Sequence, residues 1–104
     1  MKILTPAHRY ELENFEKKET PGQILQFIEK EPTAPGSKEL RTINDGTTNE
    51  EVLAVLIDRL QGLNAKFPCR ENSIVITKLE EALLWLNKRT KDRETRGVEG
   101  KQIA

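Results

Sequence analysis

The sequence predicts an α+β fold, with an N-terminal β-hairpin followed by an antiparallel two-helix hairpin, assembled as a homo-oligomer. Three observations carry this expectation. Residues 1–46 hold four of the five prolines and two short runs containing Tyr, Phe, Ile and Leu. Residues 47–97 hold two apolar seams of equal spacing. The middle of the second seam, ALLWL at 82–86, is apolar on every side of a helix, and a helix of that kind needs cover from more than one direction.

Taken in order, RYELENFE (9–16) and QILQFIEKE (23–31) flank ETPG. Pro-Gly is a strong turn signal, so the two runs read as the arms of a hairpin. Their alternation is imperfect, and a helix over 7–17 stands as the competing reading. EPTAPGSKE, 31–39, reads as a loop. In DGTTNEE, Asp45-Gly46 supplies a turn. Both Thr47 with Glu50 and Thr48 with Glu51 then fit the capping box that starts a helix. Leu53, Leu56, Leu60 and Leu63 follow at i, i+3, i+7 and i+10. FPCRE (67–71) ends that helix, because Pro68 disfavours helical geometry at Phe67 and has no N–H to donate. The second helix repeats the spacing with Ile76, Leu79, Leu83 and Leu86, and Gly97 ends it. Two equal seams across a short connection describe an antiparallel helical hairpin. The expected organisation is therefore 1–46, hairpin and loop, with 47–104, helical hairpin and basic tail, in one compact domain.

Composition narrows the function. Of 104 residues, 36% are hydrophobic and 33% charged, with a mean hydropathy of −0.64. A core drawn from that pool is small, and oligomerisation would supply the missing burial. The 17 basic and 17 acidic residues cancel, which argues against DNA or RNA as partner, since backbone binding needs a sustained basic surface. The cancellation hides a local excess: from Lys88 to Ala104 there are six basic against three acidic residues, so an anion site belongs near the C-terminal end. One cysteine, Cys69, excludes an internal disulfide and a CxxC metal knot. No apolar run suits a membrane span or a secretory signal. A cytoplasmic setting is expected.

Enzymatic readings fare poorly, and neither metal nor cofactor is expected. His8 and Cys69 lie far apart in sequence with nothing to orient either, and Cys69 reads as a half-buried residue at a helix entrance. Glu80 and Glu81 are adjacent and project about 100° apart, a poor geometry for a shared substrate. DGTTNE lacks the glycines and lysine of a phosphate loop.

Lys78, Ala82, Trp85, Arg89, Arg93 and Arg96 recur at steps of three and four, so they form one stripe down the second helix. Guanidinium forks grip phosphate oxygens and stack on bases, and tryptophan offers a stacking surface. That combination suits a small, charged nucleotide. On composition alone the plainer reading is that Trp85 is interface core and the arginines a solvated last turn favoured by the helix dipole. Arg70 and Asn72, at the helix entrance, likewise suit an anion, or simply a cap made by Asn72 or Ser73.

CRENSIVITKLEEALLWLNKRT resembles the C-terminal helix of small phage anti-defence sponge proteins that share a two-helix hairpin domain. The resemblance covers about residues 45–97. It rests on the DGTTNEE lead-in, the arginine and asparagine of Cys69–Asn72, ITKLEEA at 76–82, and Trp85 followed by basic residues. One branch of that family soaks up cyclic di- and trinucleotides made by CBASS immune enzymes; the other soaks up cyclic ADP-ribose isomers made by Thoeris TIR enzymes. A strand pair ahead of the hairpin is closer to the second branch. The resemblance implies a hexameric or dimer-based homo-oligomer in the infected bacterium, with cyclic-nucleotide pockets between protomers. It also implies that Asn72, Arg89 and Arg93 contact the ligand; Arg70, Lys78, Trp85 and Arg96 join them from the physical stripe. The rival is a structural or adaptor helical-hairpin oligomer with no small ligand, for which the C-terminal arginines would be dispensable.

Overall fold

A computed structural model describes residues 1–97 and has five strands followed by two helices, the predicted α+β class. The chain divides into two compact units, Met1–Thr48 and the segment that begins at Asn49.

The first unit holds two small sheets. Strands β1 (Lys2–Thr5), β2 (Arg9–Glu11) and β3 (Ile24–Gln26) form one in that order, and β4 (Glu29–Pro32) pairs with β5 (Leu40–Asn44) in the other. The expected hairpin arms do meet, antiparallel, with Tyr10 opposite Leu25 and Arg9 opposite Gln26. A strand at 9–11 excludes the competing helix over 7–17.

Three details differ from expectation. β1 adds to the free edge of β2 through a turn in which Ala7 adopts φ 66° and the His8 N–H donates to the Thr5 carbonyl. ETPG is not a two-residue hairpin turn but the end of a longer loop. Gly22 is needed there because the chain doubles back on Leu12, and a Cβ would lie 1.6 Å from the Leu12 carbonyl oxygen. QILQFIEKE is not one arm either. It breaks after Gln26, giving β3 to one sheet and β4 to the other, and β4 takes Glu31 and Pro32 from the expected loop. Pro32 ends its strand, where the missing N–H is tolerated. Tyr10 and Phe27 pack edge to face at 6.1 Å, so aromatic packing extends past the β3 terminus.

The same unit decides between the two capping frames. The Thr47 N–H donates to Gln26 O and its carbonyl accepts from the Ile28 N–H, both at 2.9 Å. With Thr47 bridged to Phe27, α1 (Asn49–Lys66) begins one residue after Thr48, in the Thr48/Glu51 frame.

In the second unit, α1 and α2 (Arg70–Thr95) pack against each other across the connection that holds Pro68. The α2 seam is as expected: Ile76, Leu79, Leu83 and Leu86 are half-buried, and Asn72 and Thr90 extend the same heptad line. The α1 seam is corrected. Leu53, Ile57, Leu60 and Asn64 face inward, whereas Leu56 and Leu63 are each 41% exposed. At 100° per residue the first four share about 60° of arc, and the other two leucines fall outside it. Asn64 holds its place by bonding: its Oδ1 accepts from the Cys69 N–H at 3.0 Å and its Nδ2 donates to Ser73 Oγ at 3.1 Å. That clamps the connection.

The α2 cap is Cys69, not Asn72 or Ser73. Its Sγ accepts from the Asn72 N–H at 3.4 Å, and Ser73 Oγ donates back to its carbonyl. The thiol is exposed rather than half-buried. A hydroxyl is the stronger acceptor, so Cys69→Ser should raise stability by about 0.5–1 kcal/mol in thermal denaturation; a loss would show that the thiol does more than cap. At the other end Gly97, at φ 72°, closes the helix, its N–H donating to Glu94 O. Glu99 and Lys101 of the basic tail lie outside the described residues.

No hydrophobic side chain among the described residues is buried in the single chain. Leu84 and Trp85, the outer side of the ALLWL waist, are 69% and 71% exposed. No helix among the described residues is long and apolar enough to cross a membrane.

Candidate ligand-binding site

With 26 residues, α2 is about 39 Å long, and the predicted site residues fall at its two ends. Near the C-terminus, Trp85, Arg89, Arg93 and Arg96 line one recess of about 210 Å³, together with Lys88 and Asp92. Four cationic side chains thus face one carboxylate, beside an indole. Asp92 is itself engaged, 2.8 Å from Lys88 Nζ.

Arg93 stands apart from the stripe drawn from the sequence. It is 6% exposed, the one buried residue among those described. The reason is its angle: it lies about 20° from Leu86 around the axis, at the end of the seam, whereas Arg89 and Trp85 are turned outward and exposed. Arg89 makes no hydrogen bond or ion pair among the described residues. The recess therefore combines a held guanidinium at its base with an unengaged one at its rim.

Arg70 and Lys78 line a second recess of about 340 Å³ at the other end of α2, with Ser73, Ile74 and Thr77. Lys78 also reaches Glu81 at 3.8 Å, an exposed pair of little strength. Asn72 borders neither recess; it is half-buried on the seam side of the first turn. Arg70 and Arg89 are separated by nineteen residues of one helix, roughly 28 Å. One chain therefore cannot bring both groups to one small ligand.

Sequence reasoning missed Lys88 and Asp92 as lining residues, although their i, i+4 spacing and opposite charge were readable. Ser73, Ile74 and Thr77 carried no signal beyond lying one turn from Arg70 or Lys78. No cluster of three or more His, Cys, Asp or Glu suited to a metal occurs among the described residues. His8 is in the first unit, its Nδ1 3.1 Å from the Pro6 carbonyl oxygen, and Cys69 is in the second.

Residues 28–91 match the family model of the Acb2/Tad1 hairpin domain. Among curated proteins, Thoeris anti-defense 1 of Bacillus phage SBSphiJ7 is 61% identical over 57 residues, 54% of this chain and 40% of that protein. The match thus spans well under half the length of that relative. Since well over half of this chain's residues fall within the family model, and these include β4, β5, α1 and most of α2, the chain belongs to the Acb2/Tad1 hairpin domain family.

Proposed function

We propose that the protein is a phage anti-defence sponge that binds and holds, without cleaving, a cyclic nucleotide immune signal in the cytoplasm of the infected bacterium. The observation that carries this is the convergence of Trp85, Arg89, Arg93 and Arg96 on one recess, in a chain whose relative is named for acting against Thoeris. Cyclic ADP-ribose isomers are the first ligand class to test and cyclic di- and trinucleotides the second. Both offer phosphates for the arginines and a base for the indole.

The recess favours a shared site. Pockets that enclose ligands of drug size span about 300–1,000 Å³, and 210 Å³ falls short of that. A second protomer seated on the exposed Leu84–Trp85 face would wall the recess. If its α2 ran the other way, it would bring Arg70 and Lys78 of one copy to the arginines of the other. Water would then be excluded, which strengthens the guanidinium–phosphate contacts. To outcompete an immune receptor, such a site needs nanomolar affinity, about −12 kcal/mol.

The holding role is tested by chemistry. Protein loaded with ligand for hours and then heated should release it unaltered, as judged by mass spectrometry, and His8→Ala should bind and release like the parent. Linearised product in the eluate, or binding lost with His8, would identify an enzyme instead.

A further inference from the structure

The recess at the end of α2 holds one group that a phosphate site does not need. Asp92 lies seven residues beyond Trp85, roughly 10 Å along the axis and about 20° from it around the helix, so it shares an arc of about 60° with Trp85, Arg89 and Arg96. A carboxylate thus interrupts the basic stripe between two of its arginines, and all four residues line the recess. Helix stability gives little reason for it. Asp92 falls in the last turn of α2, where the negative end of the helix dipole disfavours an acid. Its bond from Lys88, at 2.8 Å, sets the cation on the N-terminal side of the pair, the weaker order at this spacing. With side chains 62% and 56% exposed, such a pair contributes little.

The carboxylate does reshape the charge of the recess. It holds the Lys88 ammonium and adds its own charge to that of the helix end, so the indole end of the recess is open to anions and the far end repels them. Repulsion of this kind grows with the charge of the ligand. A phosphate closed into a ring carries a single negative charge, whereas the terminal phosphate of a linear nucleotide carries about 1.5–2 at neutral pH. We propose that Asp92 is a specificity residue, which admits cyclic nucleotides and turns away linear polyphosphates such as nucleoside triphosphates. This role rests on the sponge reading of the recess. A sponge open to nucleoside triphosphates, which every cell holds in abundance, would be filled before an immune signal appeared, and like charge set against a wrong ligand is a means of rejecting it.

Titration of the full chain with ATP and with inorganic pyrophosphate, free of divalent cations and beside the cyclic nucleotides, tests it. Asp92→Asn should tighten binding of ATP and pyrophosphate about tenfold, and of a cyclic nucleotide about threefold at most. The gain should shrink as salt is raised, because the pair is exposed. Asp92→Glu keeps the charge and should bind like the parent. Glu94→Gln removes a negative charge from the same turn but away from the recess, and should alter neither class of ligand. An Asp92→Asn protein that gains no more for ATP and pyrophosphate than Glu94→Gln does, or gains equally for linear and cyclic ligands, would overturn the proposal. A parental protein that binds none of the cyclic nucleotides would overturn the sponge reading instead, and the pyrophosphate titration alone then decides whether Asp92 excludes polyanions.

Discussion

Replacing Arg89 and Arg93 together with alanine should weaken binding of the cyclic nucleotide by 100-fold or more. Each charge-assisted contact to phosphate is worth ~1.5–3 kcal/mol, and ~1.4 kcal/mol is tenfold. The two residues differ in how cleanly they report. Arg89 is exposed and makes no bond among the described residues, so Arg89→Ala should leave the fold intact and by itself cost about 10- to 100-fold. Arg93 is buried, so its loss needs a circular dichroism control. Alanine favours the helix, and Arg93→Lys keeps the charge while losing the two-pronged fork; lysine should therefore rescue binding only in part. A double variant that stays folded and assembled yet binds like the parent would move the ligand elsewhere, with the Arg70–Lys78 recess the next place to look.

Leu84→Glu should lower the mass of the assembly, and Trp85→Glu should lower both mass and ligand affinity. With Leu84 69% exposed in the single chain, a solvated glutamate would cost almost nothing there. Covered by another protomer, the leucine contributes about 1.5–3 kcal/mol, and a carboxylate in its place adds several kcal/mol of desolvation. The sum is on the order of 10³ or more in the association constant. Trp85 differs because it also lines the arginine recess. Light scattering at micromolar concentration decides: a parental protein of 11.9 kDa would remove the shared pocket, whatever the variants do.

The helical half was legible because its signals are local. The proline break, the Thr48 and Glu51 lead-in, the α2 seam and the Gly97 stop depend on residues within one or two turns of each other. The α1 seam was misassigned where leucine was preferred to isoleucine and asparagine. Ile57 packs as well as any leucine, and Asn64 holds an inward place only through bonds to Cys69 and Ser73, which no hydrophobic pattern displays. The strands were harder. β1 joins its sheet through a non-glycine residue at positive φ, Ala7, and the break between β3 and β4 is set by Thr47 pairing with Phe27 from twenty residues away. Neither leaves a mark in a short window.

The arginine recess was legible as a stripe but not as a geometry. Trp85, Arg89, Arg93 and Arg96 do meet, yet the sequence did not show that Arg93 turns onto the seam, nor that Arg70 and Lys78 form a separate recess. Helical spacing puts residues on a face; how far apart they lie along it decides whether one molecule touches them all.

Calorimetric titration of the protein with cyclic ADP-ribose isomers and with cyclic di- and trinucleotides is the measurement that most directly asks whether this chain is a sponge. At least one of these should bind saturably with a nanomolar Kd, and the Arg89→Ala protein should lose that signal in the same concentration range. No saturable binding of any of them at tens of micromolar, by a protein shown to be folded, would contradict a sponge and leave a helical-hairpin oligomer without a small ligand.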